Sequence, residues 1–76
     1  MKFIEIDVRE LAPPEPMTAI LSALSTLPQN EGLLVHHSRQ PFPLYDQLNA
    51  TGWVYQCEQK AEGYFLLSIF RQQDQE

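Results

Sequence analysis

Two short segments hold most of the side chains in this sequence that could do chemistry. "IDVRELAPPEP", residues 6–16, contributes Arg9 and Glu15, and "HHSRQPFPLYDQ", residues 36–47, contributes His36, His37, Arg39 and Tyr45. Guanidinium groups suit planar anions, and a neighbouring histidine can donate, accept or ligate. A metal centre fits the spacing poorly. Adjacent strand residues point to opposite faces, so His36 and His37 cannot both ligate one ion unless the strand has already ended, and His37 with Glu15 makes only two ligands. Arg9 also has a structural reading, because Asp7 lies two residues before it and an ion pair on one strand face would hold the following turn. Anion binding by Arg9 and Arg39 is the competing one. No Ser-His-Asp order, carboxylate pair or glycine-rich phosphate loop accompanies these groups, so no catalytic residue and no cofactor is expected.

The elements that must position these groups follow from periodicity. Lys2 to Val8 alternates, with Ile4, Ile6 and Val8 on one face and Phe3, Glu5 and Asp7 on the other, the period of a strand covered on one side. Met17, Ile20, Leu21, Leu24 and Leu27 recur at helical spacing, Pro14 or Pro16 suits the first turn, and Pro28-Gln29-Asn30 stops it. "GLLVHH", residues 32–37, reads as a second strand, and a helix of this length between two strands implies a right-handed parallel βαβ unit. The facing of that second strand is open, since its apolar run suits either register. Leu44 and Leu48, with Pro43 before and Gly52 after, predict a second, shorter helix, with Tyr45 packing beside it. Trp53 to Lys60 and Tyr64 to Arg71 flank Ala61-Glu62-Gly63 and predict a hairpin.

The order βαβαββ predicts an α/β chain of the α+β two-layer kind, a four-stranded mixed sheet with two helices on one face. Residues 1–71 are expected to form one domain and residues 72–76 a frayed tail. On the helix side the alternation places Ile4, Ile6 and Val8, then Leu33 and Val35, then Trp53, Tyr55 and Cys57, and last Phe65, Leu67 and Ile69. Phe3, Leu34, Tyr64, Leu66 and Phe70 fall on the opposite face, which has no helix left to cover it and could take a protein partner or a second copy. A chain of 76 residues buries only about 60–65% of the surface its unfolded form exposes, so nearly every apolar side chain is needed for one core.

Composition removes several classes of function. Ten acidic against five basic residues give a formal charge of −5 with no run of Lys or Arg, which opposes nucleic-acid binding. No stretch approaches the roughly 18–20 apolar residues of a membrane span, and "MKFIEIDV" alternates like a strand, so no membrane association and a cytoplasmic setting are expected. The single cysteine, Cys57, closes no intramolecular disulfide and forms no CxxC pair. Mid-strand on the inner face, it is expected to pack as a small apolar residue.

"IDVRELAPPEP" resembles the signature of the TusA/SirA-like sulfur-carrier superfamily, in which Asp-x-Arg-Gly-Leu leads into a Cys-Pro-x-Pro turn before the first helix. Asp7, Arg9, Leu11, Pro14 and Pro16 match, Glu10 replaces the usual glycine, and Pro13 stands where the sulfur-carrying cysteine would be. The second half, through His37, Arg39, Pro41, Pro43, Leu44, Tyr45, Leu48, Gly52 and Trp53, resembles an uncharacterised branch of that superfamily. The resemblance implies strand order 1-2-4-3 with the fourth strand antiparallel, and domains that occur alone or joined to hemerythrin-like domains, a regulatory or redox-linked setting. The family's thiolate chemistry needs sulfur at a helix N-terminus, and Pro13 has none.

Two functional readings result. The preferred one is a non-catalytic module that binds a small ligand, an anion among the candidates, through Arg9, Glu15, His37, Arg39 and Tyr45, or a protein through the open sheet face. The alternative is a sulfur-relay component that acts as a carrier-like docking subunit or through Cys57.

Overall fold

A computed structural model describes residues 2–74 of the chain. In order these form β1 (Lys2–Asp7), α1 (Glu15–Ser25), β2 (Glu31–His37), α2 (Phe42–Ala50), β3 (Trp53–Ala61) and β4 (Tyr64–Arg71). The sheet runs β1-β2-β4-β3, with β1 and β2 parallel and β4 antiparallel to both its neighbours. The two central strands set the core: Leu33 lies opposite Ile69 and Val35 opposite Leu67, and all four side chains are fully buried. Ile20 and Leu24 of α1 and Leu44 and Leu48 of α2 close over the same face, each such side chain contributing about 1.5–3 kcal/mol on burial. Both helices therefore lie on one side, and the α+β two-layer arrangement is the one expected.

Each helix begins on proline and ends on threonine. Pro14 and Pro41 are the N-caps, and Pro16 and Pro43 occupy the first turns, where a missing N–H costs least and the fixed φ is already helical. At the far ends Thr26 and Thr51 turn their backbone N–H groups back onto Ala23 and Leu48, and the Thr51 hydroxyl donates to the Gln47 carbonyl at 2.7 Å. Gly52 follows α2 at φ +81°, the left-handed position that ends a helix without a Cβ penalty. Arg71 secures the connection after α1: its guanidinium donates to the Leu27 and Pro28 carbonyls at 2.6 and 2.9 Å while lying over the Trp53 ring.

The sheet margins depart from simple alternation. Ile4, assigned by its period to the core, is 38% exposed because the helices pack over β2 and β3 and leave the outer end of β1 uncovered. Trp53, Tyr55, Cys57 and Phe65 are half-buried, on or beside the opposite edge strand, which has a neighbour on one side only. Val8, predicted as the last residue of the first strand, sits just past β1, yet it is buried and its N–H donates to His36 at 2.9 Å. Residues 72–74, read from the sequence as frayed, form a 3-10 turn in which Gln72 N–H donates to the Gly52 carbonyl; residues 75 and 76 lie outside the described residues.

On the face without helices, Phe3 pairs with Gly32 and its ring lies over that glycine. A Cβ at position 32 would come 2.5 Å from Phe3 Cε2 and 3.1 Å from the Ile69 carbonyl oxygen. Gly32→Ala should therefore cost about 1–2 kcal/mol in urea unfolding, the range for overfilling a packed site, and markedly less in a Phe3→Ala background. An equal cost in both backgrounds would show that the ring is not what excludes the methyl group.

Candidate functional site

The parallel strands β1 and β2 end side by side, and the chain leaves each of them for the start of a helix. In open α/β sheets that is where ligands collect. Here it holds a pocket of about 280 Å³ between the two helix starts. Pro13, Pro14, Pro16, Pro41 and Pro43 line it, five of the six prolines in the chain. Leu11, Met17 and Leu44 complete the apolar wall, and His37, Ser38, Arg39 and Gln40 supply the polar groups. The peptide between Pro13 and Pro14 is cis. No acidic residue lines the pocket, although acids outnumber bases two to one in the chain.

His37 is the buried polar group, 3% exposed. It follows Leu33 and Val35 onto the helix side of β2, and the backbone N–H of Arg39 donates to its Nδ1 at 3.2 Å. A backbone amide only donates, so Nδ1 is the bare nitrogen and Nε2 carries the hydrogen. No acceptor for that Nε2–H is found among the described residues. Leaving a buried donor without a partner costs roughly 1–3 kcal/mol. Burial, with a smaller contribution from the Arg39 charge, pushes the imidazole pKa below its ordinary 6.5 and keeps the ring neutral. Arg39 itself is exposed at the rim, and its guanidinium has no ion-pair partner among the described residues.

Most backbone donors at the helix starts beside the pocket are missing or already used. Pro14, Pro16 and Pro43 have no N–H, Glu15 N–H is spent on the Ala12 carbonyl at 2.9 Å, and Phe42 and Leu44 donate to Gln40 and Pro41 at 3.0 Å. The arrangement is unlike a phosphate cradle, which depends on several free amides at one helix N-terminus. His37 is the buried polar group of this lining and Arg39 its one charged residue, beside the Ser38 hydroxyl and the Gln40 amide.

The other residues singled out by sequence lie elsewhere. Glu15 is exposed in the first turn of α1 and does not line the pocket. Tyr45 stacks on Tyr55 with ring centres 4.3 Å apart and reaches the Gln40 side chain; burial raises its phenol pKa, and the nearby Cys57 thiol adds to the rise. Cys57 is half-buried rather than fully enclosed, because β3 is an edge strand. Arg9 turns to Asp7, with Nη2 2.7 Å from Oδ2 and the backbone N–H on Oδ1 at 3.0 Å. These hydrogen bonds hold the Asp7 carboxyl down at about 2.

A second polar group, which the sequence reading did not assemble, occupies the face without helices. His36 Nε2 lies 2.8 Å from Glu5 Oε2, and Nδ1 lies 2.8 Å from the Tyr64 hydroxyl. The carboxylate only accepts, so the bond to Glu5 uses an Nε2–H. Arg9 covers the Tyr64 ring at 4.9 Å. Tyr64, expected as part of an apolar patch, is thus tied into a polar network, and Phe3 is the strongly exposed member of that set at 40%, Leu34, Leu66 and Phe70 being half-buried. The alternation already placed Glu5 and Tyr64 on this face; what brings them to His36 is the order β1-β2-β4. Among the described residues there is no group of three His, Cys, Asp or Glu able to hold a metal ion, and no helix is long and apolar enough to cross a membrane.

Fold and site together define a small two-layer α+β domain with a ligand-sized recess at the ends of its parallel strands. Residues 5–71 match the family described as Uncharacterized conserved protein (DUF2249), and the chain belongs to that family. No curated protein and no solved structure matches it.

The tautomer and burial of His37 have a consequence for stability. Below pH 6.5 the unfolded chain takes up a proton at this position while the folded one resists. Neutral His37 therefore contributes its full stability above 6.5, and that contribution is lost as the pH falls below it. Urea midpoints of the wild type should fall between pH 7.5 and 5.5, and His37→Gln should show a shallower fall, all other titrating groups being common to both. Parallel profiles would mean that position 37 carries no such penalty.

Proposed function

We propose that this protein is a non-catalytic binding module whose small-molecule ligand occupies the proline-walled pocket at the ends of β1 and β2. The observation that carries the reading is the pairing of an apolar recess of about 280 Å³ with a buried imidazole whose Nε2–H lacks a partner among the described residues. Such sites combine apolar walls with a few placed polar groups. The volume is just below the usual range of about 300–1,000 Å³ for ligand pockets, which suits a compact molecule and is too small for a dinucleotide.

The resemblance to sulfur carriers adds the position but not the chemistry. Their cysteine precedes the first helix, where this chain has Pro13, and Cys57 lies on β3, the strand farthest from β1 in the sheet. Fold alone does not bring activity with it. Incubation with a cysteine desulfurase and ³⁵S-cysteine should leave the protein without stable label, and a persulfide detected on the purified chain by mass spectrometry would contradict this reading.

The pocket itself is tested by titrating mixed neutral and charged fragments of about benzene size into ¹⁵N-labelled protein. Amide shifts should cluster at Leu11, His37, Ser38 and Gln40, and Leu11→Trp, which adds bulk at a lining position, should weaken binding at least fivefold. Absence of any shift at these amides across all fragment classes would refute it.

A further inference from the structure

The chemistry of the lining narrows the ligand class. Of the four polar residues in the lining, His37 offers a buried Nε2–H and Arg39 at the rim a guanidinium with no ion-pair partner among the described residues, beside the Ser38 hydroxyl and the Gln40 side-chain amide. With His37 neutral, they offer one positive charge and a short set of N–H donors. That matches one two-oxygen monoanion: a planar carboxylate accepts two parallel bonds from a guanidinium and has lone pairs left for the imidazole N–H. A phosphate would bring close to two charges and three oxygens, while at the helix starts Pro14, Pro16 and Pro43 have no N–H and those of Glu15, Phe42 and Leu44 are already bonded. The absence of lining acids leaves nothing to repel an anion and nothing to hold a cation.

The walls ask for the other half of the molecule. Five prolines with Leu11 and Met17 present ring and methylene surface, and the volume is near twice the ~150 Å³ apolar cavity that accepts benzene in an unrelated protein. A bare anion would leave this surface wet, and a purely apolar ligand would leave the His37 N–H unsatisfied.

We propose that the pocket takes a small monocarboxylate with an aryl or branched alkyl body, its carboxylate held between the Arg39 guanidinium and His37 Nε2–H and its body against the proline walls. The proposal rests on the pocket being the ligand site and adds the class of ligand. Arg39 and His37 act here as binding groups only, with no bond made or broken.

The test uses the full chain at pH 7.5 and about 0.15 M salt, where screening removes long-range attraction. Benzoate and 4-methylpentanoate are titrated beside benzyl alcohol, a neutral counterpart, and inorganic phosphate, an anion with no apolar body. The two carboxylates should bind at least tenfold more tightly than the alcohol, phosphate should bind no better than the alcohol, and the His37 ring ¹⁵N spectrum should keep the Nε2–H form while its Nε2 signal shifts. Arg39→Gln, at an exposed position that leaves the fold intact, should bring the carboxylates down to the affinity of the alcohol. Equal affinity for alcohol and carboxylate, or an Arg39→Gln protein that keeps the preference, would overturn the class while leaving the pocket standing. Phosphate binding as tightly as benzoate would mean general anion attraction and would also overturn it. Binding of none of the four would overturn the pocket reading and the class together.

Discussion

Once Leu33 and Val35 of β2 are committed to the helix side of the sheet, a period of two leaves no choice for the residues after them: His37 must go inward and His36 outward. That commitment is enforced by burial, because Leu33 and Val35 meet Ile69 and Leu67 across the central pair and are roofed by Ile20, Leu24, Leu44 and Leu48. A slip of one residue would turn Leu33, Val35 and His37 out to the uncovered face and bring Gly32, Leu34 and His36 under the helices. The same packing thus decides the core, the buried donor of the pocket and the polar network of the opposite face.

The prolines shape the pocket in a way their number alone does not suggest. Two helices start next to each other because a parallel β1–β2 pair ends there, and such starts ordinarily present free amides and a positive dipole end. Here Pro14, Pro16 and Pro43 remove donors, while Glu15, Phe42 and Leu44 spend theirs on nearby carbonyls. What remains is a largely apolar recess whose polar lining is His37, Ser38, Arg39 and Gln40. The feature that bars thiolate chemistry at position 13 is the same one that suits the site to an apolar body.

A domain this small cannot cover both margins of a four-stranded sheet with two short helices. The central strands are buried, and the edge strands are left half-covered: Ile4 and Phe3 are exposed on β1, and Cys57 and Tyr55 are partly open on β3. Local devices compensate. Phe3 lies over Gly32, Arg71 ties the connection after α1 to the end of β4, and Asp7 locks Arg9 at the end of β1.

The amino-acid sequence by itself determined the elements and their order, because period-two and period-3.6 patterns, prolines at helix starts and Gly52 and Gly63 at turns are local signals that survive without neighbours. It also determined the opposite facing of His36 and His37 and offered the Asp7–Arg9 pair as one of two readings of Arg9, both consequences of spacing within a few residues. The grouping of Arg9, Glu15, His37, Arg39 and Tyr45 was beyond it. Tertiary structure put His37 and Arg39 with the prolines of both helix starts, turned Arg9 onto Tyr64, left Glu15 outside the lining and stacked Tyr45 on Tyr55. It also brought Glu5, His36 and Tyr64 together from three strands. The physical reason is one of range: alternation says which face a side chain takes, but which side chains meet on that face depends on strand order and register, and those are settled only when the helices choose which strands to cover.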